Sequence, residues 1–146
     1  MKFTRVLIIC FCFTVLLMNT QCDEDDQDND FPCNQTVVVD TGFYESSQSD
    51  FFEFTSVQLN GNCLVLEFTA SGCDGNSWSM VFVDSGGVAE SFPEQRFLKF
   101  VLTNEEACLA VISQERSFDI SPIEVEGRNE IILNIEDFSE SLTYTY

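Results

Sequence analysis

The sequence predicts an all-β protein, an antiparallel β-sandwich of immunoglobulin-like size held by two disulfides, and three observations carry that reading. From Gln35 onward the apolar residues recur in short bursts with period two, and nowhere do they keep a helical period for three turns. All seven glycines fall in the gaps between those bursts, where turns are needed. Four cysteines, Cys33, Cys63, Cys73 and Cys108, are spread through the same region of a chain that opens on an export segment. A closed barrel is the alternative way to bury such strands.

Residues 1–21 read as a signal peptide. Lys2 and Arg5 precede a run at 6–18 that is apolar except for Thr14, and the polar Asn19-Thr20-Gln21 follows before Cys22. As a helix that run would span about 20 Å, short of a hydrocarbon core of ~30 Å, so a permanent membrane span is the lesser reading. Residues 22–32 read as a solvated tether. Asp23, Glu24, Asp25, Asp26, Asp28 and Asp30 place six carboxylates in eight residues with nothing apolar among them, a stretch that repels itself and has no core to join. A plain cut nearby, with Cys22 left for a disulfide, lacks a small-x-small cleavage pattern. Calcium binding lacks the glycine and glutamate that shape an EF-hand loop.

This N-terminus resembles the lipoproteins of Bacteroidota, in which the first mature cysteine is acylated and an acidic cluster after it directs export to the cell surface. The resemblance implies that Cys22 carries the lipid, palmitate among its chains, and that Asp23 to Asp26 form the export signal. The chain departs from the family at Asn19 and Gln21, where leucine and a small residue are usual. The implied partner is the lipid bilayer, and the implied location is the outer membrane or cell surface. Every acidic residue follows Cys22, so loss of Lys2 and Arg5 leaves 4 cations against 25 carboxylates, a mature charge of -21.

Residues 33–146 form the folded domain. Cys10 and Cys12 depart with the signal peptide, which leaves the four domain cysteines an even set. Three pairings are open, and Cys33 with Cys63 and Cys73 with Cys108 is favoured because it ties the end of the tether to the first hairpin and one loop to a distant strand. Each bond closes some thirty residues, so the chain-entropy argument assigns each about 3–4 kcal/mol. No Cys-x-x-Cys spacing exists, which speaks against a metal cluster.

Nine strands are expected, at 36–41, 51–59, 63–70, 77–84, 96–103, 108–113, 117–120, 130–136 and 142–146. Asn60-Gly61 is the strongest hairpin signal. A two-residue turn there makes Val57 face Leu64, Thr55 face Leu66 and Gln58 face Cys63. Val57, Leu59, Leu64, Leu66 and Phe68 then line the core face, with Ser56, Gln58, Cys63 and Glu67 on the other. Ser71-Gly72-Cys73, Glu106-Ala107-Cys108 and Phe118-Asp119-Ile120-Ser121-Pro122 resemble segments of small uncharacterised secreted β proteins of flavobacterial type. Many of those carry a histidine a few residues after the Gly-Cys turn; this chain has Asn76-Ser77-Trp78 there, so no histidine role transfers.

Composition excludes whole classes of function. A chain of net charge -19 with 6 Lys plus Arg repels nucleic acid, and a chain with no histidine cannot build a Ser-His-Asp or Cys-His centre, a His-ligated zinc site or an imidazole switch. The sequence implies no cofactor, no metal site and no catalytic set. Among 25 carboxylates some pair meets glycosidase spacing by chance, and Glu53, Glu67, Asp84 and Asp119 on or beside strands read as solvated or turn-capping groups. Trp78 and Tyr44 are the candidate ligand-binding rings, with Phe43, Phe51, Phe52 and Phe92 also flanking turns. The Asn34-Gln35-Thr36 sequon matters only in a eukaryotic secretory pathway. The expected function is a membrane-anchored, non-enzymatic binding or envelope module whose partner is an unidentified protein or glycan. A soluble secreted inhibitor-like domain is the alternative, and a carboxylate glycoside hydrolase the least favoured.

Overall fold

The computed structural model describes residues 33–146. The expected signal peptide, Cys22 and the expected acidic tether lie outside the described residues. Nine strands occur in the order β1 (Gln35–Thr36), β2 (Val38–Val39), β3 (Glu53–Asn60), β4 (Cys63–Gly72), β5 (Ser79–Ala89), β6 (Glu94–Thr103), β7 (Ala110–Asp119), β8 (Glu130–Ile135) and β9 (Ser141–Thr145). A short helix α1 (Thr41–Ser46) follows β2, and a 3-10 turn (Ser121–Ile123) follows β7. One sheet has the order β1-β7-β4-β3 and the other β2-β5-β6-β8-β9.

Alternation along the strands builds the layer between the sheets. Leu64, Leu66, Phe68 and Ala70 of β4 face Met80 and Phe82 of β5, Leu98, Phe100 and Leu102 of β6, and Ile131, Leu133 and Ile135 of β8, all buried in one cluster. Phenylalanines fill its centre: Phe68 and Phe100 lie 4.9 Å apart, Phe52 meets Phe100 edge-on at 5.0 Å, and Phe82 lies 5.2 Å from Phe118. The sandwich is all-β as expected, and its two disulfides join Cys33 to Cys63 and Cys73 to Cys108.

Four details differ from the sequence reading. The first is strand direction, because β1 with β7, β2 with β5 and β6 with β8 run parallel. The expected strand 36–41 is instead two short strands that cross from one sheet to the other, with Val37 buried at the crossing. Asp40 then starts α1, its Oδ1 accepting from the Phe43 N–H at 2.9 Å, and the helix packs on β5. Six residues are too few to show a helical period.

The expected strands 108–113 and 117–120 are one continuous β7. Its polar middle is no turn, because Gln114 points inward and its Nε2 donates to the Gly75 carbonyl at 2.8 Å. The β3–β4 register is shifted by two residues, so Val57 faces Leu66, Gln58 faces Val65 and Asn60 faces Cys63. The turn is Gly61-Asn62, with Gly61 at φ +56°. A shift of two preserves the faces, and Val57, Leu64, Leu66 and Phe68 are buried. Cys63 is buried too, beneath its disulfide.

Register also gives the sandwich two distinct ends. β4 climbs from Cys63 to Gly72 while β7 descends beside it. The Cys33–Cys63 bond, the Gly61-Asn62 turn and the 3-10 turn therefore share one end. The Cys73–Cys108 bond and the loops at 73–78 and 104–109 share the other, joined by the loop before β3 through the Asp50 N–H to Leu102 C=O bond and the Asn104 N–H to Asp50 Oδ2 bond.

Candidate functional site

The loop end is organised around Glu106. The turn after β4 curls so that the N–H groups of Cys73, Asp74 and Gly75 converge on Glu106 Oε2, the latter two at 3.2 and 3.1 Å. Ser77 Oγ donates to Oε1 at 2.7 Å. These donors stabilise the anion, the Ser77 hydroxyl most, and hold its carboxyl down at about 2 against partial burial that would raise it. Gly72 permits the approach, since a Cβ there would lie 2.7 Å from Trp78 Cζ2 and 2.6 Å from Glu106 Oε2. Asn104 closes the end: its Nδ2 donates to the Ser71 carbonyl at 2.7 Å and its Oδ1 accepts from the Glu106 N–H at 2.9 Å. Glu106 therefore serves as an internal anion that holds the loop, its Oε2 taken by three backbone N–H groups and its Oε1 by the Ser77 hydroxyl. Its position two residues before Cys108 was the available signal, because the disulfide carries it to the Cys73 turn.

The candidate rings are not brought to one surface. Trp78 is only 8% exposed and packs in the sandwich 6.2 Å from Phe68, so its faces belong to the core. Its Nε1 and the Gln114 Oε1 are buried with no hydrogen-bond partner among the described residues. Tyr44 stands on α1 outside the other sheet, where Lys99 Nζ sits 4.8 Å above its ring and donates to its carbonyl at 2.9 Å. Lys99 also meets Glu136 at 3.3 Å. Phe52 packs among Phe54, Phe68 and Phe100. Phe51 and Phe92 are exposed, at opposite ends of the sandwich.

The carboxylates singled out from the sequence also separate. Asp119 caps the turn that follows it, its Oδ1 accepting from the Ser121 N–H at 3.0 Å. Asp84 is 0% exposed; its Oδ1 accepts from the Gly86 N–H at 2.7 Å and its Oδ2 lies 3.5 Å from Arg96 Nε. Burial raises its pKa, opposed by that N–H and by Arg96. Glu67 lies on the outer face of the four-stranded sheet directly across from Glu115, in an open groove of about 270 Å³ lined with Thr55, Ser113 and Gln114. Glu53 stands near the loop end of the same face, opposite Thr69. Among the described residues no group of three or more Cys, Asp or Glu is arranged to hold a metal ion.

No family model matches the chain, and no curated protein is significantly similar to it. Two solved structures share its fold. A protein of unknown function, DUF1344, from Bacteroides vulgatus matches with a TM-score of 0.51 and 11% identity, covering 77% of this chain and 55% of its own. A protein from Parabacteroides distasonis described as toxin related matches with the same score and identity, covering 77% of this chain and 59% of its own. The chain thus spans little more than half the length of each, and what it shares with these two Bacteroidota proteins is the fold alone.

Proposed function

We propose that this chain is a surface lipoprotein, acylated at Cys22 and set off from the bilayer by its acidic tether, whose β-sandwich is a non-enzymatic binding module. The observation that carries the reading is the polarity of the sandwich. The described chain enters at Cys33, bonded to Cys63, and the loops with the exposed Phe51 and Leu109 lie at the opposite end. A tether on the first end turns the second outward, toward a protein or glycan partner. Two or three acyl chains, at ~0.8 kcal/mol per buried methylene, suffice for permanent anchorage.

Intact mass and detergent partitioning of the native protein test the anchor. The expected result is a mass increased by acyl chains beginning at Cys22 and recovery in the detergent phase. An unacylated mass with recovery in the aqueous phase would replace this reading by a soluble secreted binding domain. A glycan and peptide array tests the binding module, and hydrolysis of an arrayed glycan that vanishes in Glu67→Gln would overturn the non-enzymatic assignment.

A further inference from the structure

Strand β7 is paired with β4 along its whole length, but on its other side β1 covers only Phe118 and Asp119. One more contact closes that side, the Ser117 N–H donating to Asn34 Oδ1 at 3.1 Å. The Asp119 carbonyl accepts from the Val37 N–H at 2.9 Å in the same direction. Backbone groups of a strand alternate in direction, so Val111, Ser113 and Glu115 turn their N–H and C=O groups to this open side as well. Among the described residues the Glu115 carbonyl alone of these meets a partner, the Arg116 guanidinium at 2.6 Å.

Such an edge is ordinarily blunted by proline, charged side chains, a bulge or shortness. β7 has no proline and no lysine, its charges Glu115, Arg116 and Asp119 lie toward the β1 end, and its register with β4 runs unbroken from Ala110 to Asp119. At its loop end Leu109 is 90% and Val111 73% exposed. The face beside the edge is acidic, because Glu67 and Glu115 stand directly opposite each other, an arrangement that a cation between them relieves. The domain as a whole carries four cations, Arg96, Lys99, Arg116 and Arg128, against nineteen carboxylates, which is -15. A second copy, or any acidic segment, meets repulsion there; a basic segment is drawn in.

We propose that the open edge of β7 takes an extended basic peptide as an added strand, with an apolar side chain beside Val111 and a Lys or Arg beside Glu115. The inference rests on the binding-module reading and names the chemistry of its partner. Backbone hydrogen bonds to Val111, Ser113 and Glu115 supply affinity, and the acidic face supplies the choice of sequence.

The test uses the mature chain and a capped seven-residue peptide of alternating threonine and lysine with one valine, beside its glutamate counterpart and a version N-methylated at alternate residues. Titration calorimetry should show binding of the lysine peptide that weakens with salt, and amide exchange should slow at Val111, Ser113 and Glu115. Ser113→Pro removes an N–H that faces the open side and leaves the β4 ladder intact, so it should cost at least about tenfold in affinity. The N-methylated peptide should lose as much, a comparison that does not depend on how the variant folds. Equal binding of the glutamate peptide, or full affinity in Ser113→Pro, would overturn the proposal. So would edge amides already protected in the free protein, or a dimer in sedimentation that Ser113→Pro dissolves. An array ligand whose binding survives Ser113→Pro would remove the edge from the mechanism and leave the binding module standing.

Discussion

Replacing Arg96 with methionine isolates the one ion pair that, among the described residues, is buried on both sides. At 3.5 Å and an effective dielectric of ~20 the attraction of Asp84 and Arg96 is roughly 5 kcal/mol. Desolvating two ions costs several kcal/mol each, so the net worth of the intact pair is small. Removing one partner is different, because Asp84 keeps its desolvation cost and loses the attraction. Arg96→Met should therefore destabilise by about 3–5 kcal/mol, while Asp84→Leu with Arg96→Met should recover most of that loss. For a domain of this size the single variant should melt roughly 10–20 °C lower.

The pH dependence carries a sign. Burial already raises the Asp84 pKa above 3.8 and Arg96 opposes it, so the variant raises it further. A group raised on folding contributes stability below its unfolded value and loses it as pH rises through the folded value. The deficit of Arg96→Met should thus shrink below about pH 4 and grow above it. Urea unfolding of the wild type, both single variants and the double variant from pH 3 to 7 measures the coupling. Additive single effects, or a single-variant loss under about 1 kcal/mol, would refute the reasoning.

Glu106→Gln should be less stable than the wild type at pH 7. The difference should fade as pH drops from about 4.5 toward about 2, since a pKa lowered on folding gives stability that is lost as the carboxylate protonates; urea midpoints across that range check it. Replacing Cys73 and Cys108 together with serine opens a loop of 35 residues and should cost about 4 kcal/mol by chemical denaturation. Phe68→Ala removes a ring in contact with Phe52, Trp78 and Phe100 and should cost about 3–5 kcal/mol, read as a lowered melting temperature.

The sequence by itself determined the period-two faces, the all-β class and an even set of four export-side cysteines, because alternation and redox chemistry are local properties, whereas the choice among three pairings was settled by the fold. Leu64, Leu66 and Phe68 are buried whichever of the two registers the hairpin adopts, since a slip of two residues keeps their face. The register itself was a tertiary decision. Asn62 C=O accepts from the Ile120 N–H at 2.9 Å and Asn62 Oδ1 from the Tyr144 hydroxyl at 3.0 Å, bonds from the residue just after β7 and from β9 that hold Asn62 within the turn. Likewise Trp78 and Asp84 read as exposed candidates because a single residue does not reveal which layer will cover it. Glu106 read as one carboxylate among 25 until the Cys73–Cys108 bond brought three N–H groups to it. The open edge of β7 is the furthest from local reading. Its vacancy depends on where β1 stops and crosses to the other sheet, and that crossing exists only once both sheets are in place.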